Sequence, residues 1–582
     1  MKKLAILTAL ATCVSLVGGA FAAPMTKYVD APPLHQAINT QVGEVKTGGP
    51  VQLPLITWGG DIATIFANGN SRVTSKGSIF EKEGLNFKLF REDDFKKQVE
   101  MYMRGETPYL RGTMGMINMA VEVLNRDPRT KPVVIYQMTE SNGGDTLTVR
   151  AFDAKGNPYI RTAKDLKGKT IAVQAYGPHV DYLGKVLADA GLSMKDVTIK
   201  WTKDLTGTDD TPAAALRNDR SVDAAMVIIP DAMELTSGGA VGTGAEKSVK
   251  GTKILLTTKT ANRIIADVYV VRADYFQAHR AEVEKFVHGL LTAEESLRDL
   301  VKSKSTRSAD YKRTFTASAE ILLDSDKAVA DTEGLYGDAE FVGYRGNVKF
   351  FGDANYPRNF DKRTAEIQNA FAAIGLLSKR TTLEHAKWDY NRLKTGLSDV
   401  AGVEAPKFEK DEVAKVIDKK QKQGTLTEGE LFSFEVYFQP NQNSFSVDAY
   451  AESFAKVVDL AATYGGAVIT VEGHSDPLGY LKSKKSGESD VVLSRTRQAA
   501  KNLSMARANA VRDSVIAYAK RKGITVDVSQ LVVVGHGIDK PKNGMCGNDP
   551  CAPKTEQEWR NNMRVEFRII QIEAESSAFK PL

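Results

Sequence analysis

From residue 51 to about 397, short apolar runs alternate with stretches whose apolar residues recur at helical spacing. The runs 53–58, 133–137, 147–151, 170–174, 224–229 and 264–271 are rich in Val, Ile, Leu and Ala and predict buried strands. Helical periodicity predicts helices over 94–104, 180–190, 213–218 and 280–303, with a helical tail over 318–327 and 362–377. Strands alternating with helices predict βαβ units and parallel sheets. Residues 23–48 are polar and weakly periodic, a lead-in to a domain spanning 49–398. The pattern then changes. Residues 407–423 are dense in Lys, Glu and Asp, with Val413, Val416 and Ile417 as the larger apolar residues, so 399–430 reads as an exposed, partly helical linker. A compact α+β module follows over 431–572, and 573–582 is a tail.

Charge and cysteine change this picture little; the N-terminus changes it more. The 582 residues carry 78 Lys and Arg against 72 Asp and Glu, a net charge of +6, and no basic block interleaved with aromatics points to nucleic acid. Lys2 and Lys3, an apolar stretch over 4–17 and Ala20-Phe21-Ala22 read as a secretory signal peptide over 1–22. A lipoprotein reading at Cys13 is the alternative, but Thr12 fits poorly before an acylated Cys. No later run has the length of a membrane span, which implies a mature chain without a transmembrane segment. Cys546 and Cys551 bracket a turn, and in an exported protein such a pair forms a local disulfide. A zinc site there would need more ligands than the nearby His536.

Three segments of the front domain carry a family pattern. They are Ile79-Phe80-Glu81-Lys82-Glu83-Gly84-Leu85-Asn86-Phe87, Asp165-Leu166-Lys167-Gly168-Lys169-Thr170-Ile171-Ala172-Val173-Gln174, and Leu216-Arg217-Asn218-Asp219-Arg220-Ser221-Val222-Asp223-Ala224-Ala225. In this order they resemble the substrate-binding proteins of ABC importers, in the nitrate, sulfonate and thiamine-precursor branch. Asp219 or Arg220 stands where that family usually has Gly. The resemblance implies an α/β, two-lobed type II periplasmic-binding-protein fold, a small-molecule solute between the lobes and an ABC permease as partner. By analogy, polar loops at strand ends line the cleft, with Trp58, Gly59, Asn142, Gly143, Gln174, Tyr176 and Asp231 as solute-binding candidates. Asp61, Asp145, Asp181, Asp209, Asp210 and Asp231 lie in or near these loops, a lean toward a neutral or cationic solute. The same fold hosts an enzyme that makes the thiamine pyrimidine from its own His and a pyridoxal cofactor. Its Cys-rich motif is absent here, and no nucleophile–His–acid set, HExxH or Walker loop appears, so no enzyme, cofactor or metal is expected.

The C-terminal module carries a second pattern. Phe434-Glu435-Val436-Tyr437-Phe438 opens it, and Val471-Glu472-Gly473-His474-Ser475-Asp476-Pro477-Leu478-Gly479, Val533-Val534-Gly535-His536-Gly537-Ile538-Asp539-Lys540-Pro541 and Asn562-Met563-Arg564-Val565-Glu566 follow. These resemble the α+β OmpA-like peptidoglycan-binding domain, whose ligand is the zwitterionic end of diaminopimelate in the wall's stem peptide. The resemblance implies a carboxylate, Asp476, for the ammonium and a planar Arg fork, Arg507, for the carboxylate. Asn443, Ser475 and Gly479 complete the candidate set. Leu493-Ser494-Arg495-Thr496-Arg497 offers a second Arg, but Asn502 before Arg507, with Ala508 and Val511 after it, keeps the family's spacing. Met563 replaces one Arg of the pattern. The segment between Asp476 and Arg507 is longer than the family shows, and 480–492 is expected to be a mobile loop. His474 is expected to bond within its turn rather than hold a metal. The combined expectation is an exported solute receptor held noncovalently to peptidoglycan in the periplasm of a Gram-negative-type envelope. The alternative is an envelope scaffold or sensor that no longer transports solute.

Overall fold

The computed structural model describes residues 25–401, 408–427, 430–438 and 447–571. The expectations for the signal peptide, Cys13 and Asn443 lie outside the described residues.

The chain enters a first lobe with β1 (Val51–Leu55), β2 (Phe87–Arg91), β3 (Tyr109–Thr113) and β4 (Pro132–Ser141). It crosses to a second lobe of β5 (Asp145–Arg150), β6 (Thr170–Gln174), β7 (Thr198–Thr202), β8 (Ala224–Ile228) and β9 (Thr252–Thr257). It then returns through β10 (Ala266–Arg272), β11 (Ala339–Phe341) and β12 (Glu384–His385). The first lobe holds a β11-β4-β10-β3 sheet beside the β1-β2 pair, and the second a β7-β6-β8-β5-β9 sheet. The parallel sheets expected from strand–helix alternation are corrected to mixed ones: β10 runs antiparallel to β3 and β4, and β5 antiparallel to β8 and β9. The reason is the two crossings, which bring the chain back between lobes without a covering helix at each step.

Among the helices, α1 (Leu34–Ala37) belongs to the lead-in, α2 (Asp61–Ala67) and α3 (Met114–Leu124) to the first lobe, and α4 (His179–Asp189) to the second. Later come α5 (Phe360–Ala373), α6 (Lys410–Gln423), α7 (Ala451–Thr463), α8 (Leu478–Lys485) and α9 (Asp490–Arg521). The C-terminal sheet is built from β13 (Glu430–Tyr437), β14 (Val468–His474), β15 (Leu531–Gly537) and, after the two-residue strands β16 (Met545–Cys546) and β17 (Asp549–Pro550), β18 (Arg564–Ile570). Its order is β13-β18-β14-β15, with β14 and β15 parallel. One side packs on α7 and α9 through Ile469, Val471, Val457, Val511 and Val515.

Three expectations are overturned. The linker is a packed element where described: α6 sets Val413, Val416 and Ile417 against Val468, Val534 and Ile570 on the sheet's other side, so its sparse apolar residues form one buried stripe. The expected mobile loop after Asp476 is α8 followed by the first turns of α9, which begins well before Asn502. The C-terminal module is also docked on the front domain instead of hanging from an exposed segment. Lys185 of α4 bonds Asp459 of α7 at 2.9 Å and Asp189 at 2.9 Å, while Tyr464 donates its hydroxyl to Asp189 at 2.8 Å. The backbone N–H of Gly466 donates to the carbonyl of Thr260, in the second crossing between lobes. A Cβ at Gly466 would stand 1.9 Å from the Lys259 carbonyl oxygen, so this approach needs glycine.

Candidate functional site

At the C-terminal site, β14 ends at His474 and hands the chain to Ser475 and Asp476. The Ser475 N–H donates to the Gly537 carbonyl, locking the turn to the neighbouring strand end. Asp476 accepts from the Leu478 N–H at 2.9 Å and remains partly exposed. Arg507 stands on α9, which crosses close over this strand end: a Cβ at Gly473 would lie 2.0 Å from the Ser504 carbonyl oxygen. Arg507 is half-buried and its Nε has no hydrogen-bond partner. Burial holds the guanidinium below its ordinary value, and the nearby Asp476 carboxylate partly offsets this. Asp476 and Arg507 are thus close enough for the carboxylate to act electrostatically on the guanidinium.

Arg497, the competing residue, is spent elsewhere. It pairs with Asp539 at 3.3 Å and with Asp549, and lies over the Tyr480 ring. Gly479 is exposed on α8, and Ser475 Oγ is turned toward the Ala500 carbonyl at 3.4 Å. Cys546 and Cys551 are disulfide-bonded with Cα atoms 5.6 Å apart, beside Asp549.

In the front domain the candidate residues divide. The Trp58 indole N–H donates to Thr139 Oγ1 at 2.8 Å, and its ring covers Gly144. Gly59 is pressed against the Leu335 backbone, where a Cβ would come within 1.8 Å of its carbonyl oxygen, so this glycine serves packing. Asn142 and Gly143 lie in the first crossing; their N–H groups donate to the Asp338 carbonyl and to Thr258 Oγ1, which joins the two crossings. Gln174 folds back against Gly177 of its own loop. Tyr176 adopts a positive φ of 61° and donates its hydroxyl to the Pro32 carbonyl. Asp231 keeps one carboxylate oxygen buried and unpartnered, and burial raises its pKa. Trp58 and the crossing residues thus lie beside Asp145, which bonds His179 at 2.7 Å, and His179 acts electrostatically on Asp231, whereas Gln174 and Tyr176 are engaged by their own loop and the lead-in.

Sequence reasoning missed three features. Arg111, on a strand with no clear sequence signal, is fully buried and bonds Asp61 at 2.9 Å and Asp267 at 2.8 Å. Asp61 is therefore spent inside the fold, as Asp145 is on His179, and the expected lean toward a neutral or cationic solute loses two of its six acids. Asp181, on the first turn of α4, lies against the first turn of α3: a Cβ at Gly115 would be 2.6 Å from its carboxyl carbon. Both its oxygens are buried without a partner, and burial pushes its pKa up to about 7. The lead-in itself ties the lobes together. Its Val29 N–H donates to the Trp201 carbonyl in the second lobe, while His35 pairs with Glu122 of the first. Only its buried Leu34 and Ile38 could have signalled this.

Among the described residues no helix is long and apolar enough to cross a membrane. No curated protein matches this chain. Solved structures that it matches include the alkanesulfonate-binding protein SsuA from Xanthomonas axonopodis pv. citri bound to MOPS, at 17% identity over 58% of this chain and 100% of that one, with a TM-score of 0.38. The periplasmic aliphatic sulphonate binding protein SsuA from Escherichia coli matches at 15% identity over 62% and 99%, TM-score 0.37. The desulfurization enzyme DSZB matches at 16% over 60% and 99%, TM-score 0.36. A family model supplies the remaining likeness: residues 75–298 match the one described as NMT1/THI5 like.

Proposed function

We propose that this chain is a non-enzymatic, periplasmic solute-binding protein of the ABC-import type, held to peptidoglycan by an OmpA-like C-terminal domain. The solute half rests on the family-model match over 75–298 and on two lobes joined by two short crossings. The anchor half is supported by one contrast: Arg507 feels the Asp476 carboxylate and keeps its Nε unpartnered, while Arg497 is consumed by Asp539 and Asp549. In this reading Asp476 accepts the ammonium of diaminopimelate and Arg507 grips its carboxylate, with Ser475 and Gly479 shaping the rim. The front domain closes on a small solute near Trp58, the crossings and Asp231, and hands it to a permease. Sedimentation with purified murein tests the anchor: wild type co-sediments, and Asp476→Ala and Arg507→Ala each stay in the supernatant. Unchanged retention in both variants refutes the assignment.

A second reading is favoured by a specific observation. Tyr176 and Gln174 make internal contacts, and the lead-in bonds both lobes, so the front domain also suits a closed scaffold or sensor in the envelope. Thermal shift of the full chain against a solute panel separates the two. A solute at a hundred times its Kd stabilises by about 2.7 kcal/mol, and no shift with any solute favours the scaffold.

A further inference from the structure

The side of the C-terminal sheet that meets α6 carries a group of donors which neither the murein rim nor the interlobe region uses. Strand alternation sends Glu472 and His474, two apart on β14, to the same side. Parallel pairing of β15 brings His536 beside them. One donor atom from each of the three lies within 4.8 Å of the others, and all three residues are buried. The imidazoles stack with centroids 4.8 Å apart. His536 Nε2 lies 2.7 Å from Glu472 Oε2, and Arg568 Nε donates to Glu472 Oε1 at 2.9 Å, turning the other carboxylate oxygen toward the histidines.

His474 supplies the independent observation. Its Nδ1 stands 3.0 Å from the Lys540 carbonyl oxygen, which can only accept, so Nδ1 carries the proton and Nε2 is a bare lone pair. That Nε2 is buried without a hydrogen-bond partner, in a side chain 2% exposed. The Glu566 carboxylate lies 3.7 Å from it and is itself 3.6 Å from the Arg564 guanidinium. A buried lone pair that receives no hydrogen bond is an unfavourable arrangement, and native structures resolve such groups with a partner.

We propose that Glu472, His474 and His536 form a binding site for a divalent transition metal, zinc before others, through His474 Nε2, His536 Nε2 and a Glu472 oxygen, with Glu566 within reach as a fourth ligand. Two imidazoles and a carboxylate are a zinc-type donor set, whereas calcium and magnesium require oxygen donors throughout. The carbonyl behind His474 Nδ1 and the guanidinium behind Glu472 are the outer partners that orient such ligands. Zinc bonds of about 2.0–2.1 Å place neighbouring donors about 3.3 Å apart, so the three must draw inward by side-chain rotation. Protons compete with a metal for imidazole and carboxylate donors, so affinity rises with pH. The site lies two residues before Asp476 and would fix the turn that carries it.

The test is a titration of the chelator-stripped full-length chain with zinc against a chromophoric zinc chelator, at pH 6 and pH 8, followed by cobalt absorption spectroscopy. Expected are one equivalent of zinc, tighter binding at pH 8 and four-coordinate cobalt bands. His474→Gln and His536→Gln should each weaken binding by about 10–100-fold or more, with near-UV circular dichroism confirming the fold, while His279→Ala on the front domain leaves it unchanged. No stoichiometric zinc, or full affinity in the His474→Gln/His536→Gln double variant, overturns the proposal.

Discussion

Arg507 and Arg497 are chemically identical side chains on one helix, and their partners distinguish them. Arg497 is held by Asp539, Asp549 and Tyr480, so Arg497→Ala should cost stability near the disulfide and leave murein retention intact. Arg507→Lys is the sharper variant: it keeps the charge but loses the planar fork, and a bidentate site should lose about tenfold or more in murein affinity, measured by co-sedimentation. Asp181 supports a prediction of the opposite kind. Its folded pKa, about 7, lies above the ordinary carboxylate value, so the folded state binds its proton more tightly than the unfolded state. Its stabilising contribution is complete below about pH 4 and is lost as pH rises through 7. Asp181→Asn should therefore flatten the fall in melting temperature between pH 5 and 8 and stabilise the protein at pH 8 by a few kcal/mol. An unchanged slope in that variant would contradict the account.

At the scale of elements, what could be read in the sequence followed local strength of pattern. Residues 170–174 were legible because Thr170–Gln174 is a short, fully apolar-centred run after a turn, and the strand takes those bounds. Tyr109–Thr113 was not, because Arg111 and Gly112 interrupt it and its stability comes from the distant Asp61 and Asp267. The sparse Val413, Val416 and Ile417 read as exposure, since nothing local shows that a polar helix has a sheet waiting for its single apolar stripe. At the candidate sites, the turn at Asp476 and the helix with Arg507 were visible as motifs, while the pairing of His474 with His536 was not, because strand register joins residues far apart in the chain. The approach of α9 to β14 makes Gly473 a direct probe. A Cβ there meets the Ser504 carbonyl oxygen at 2.0 Å, so Gly473→Ala should push strand and helix apart. The expected cost is about 1–3 kcal/mol in urea unfolding, with weaker murein retention because Asp476 and Arg507 sit on those two elements.

Across the whole molecule, the C-terminal module rests against the second crossing and the second lobe, so the front domain and the C-terminal module form one packed body. Lys185 is the centre of this contact: it is 5% exposed and meets Asp189 and Asp459 at 2.9 Å and Glu366 at 3.4 Å. The three carboxylates keep the ammonium charged despite burial. Removing the cation leaves Asp189 buried opposite other acids, and breaking such a pair costs about 3–5 kcal/mol. The lower end applies here because the Asp459 side chain is 40% exposed. A double-mutant cycle decides whether the contact joins the two modules in solution. Lys185→Ala, Asp459→Ala and the double variant, compared by chemical unfolding, should give a coupling energy of about 0.5–3 kcal/mol. Two modules on a free tether would give a coupling of zero, since Lys185 and Asp459 would then seldom meet. A coupling in the expected range would mean that movement of the second lobe about the crossings is felt by the C-terminal domain.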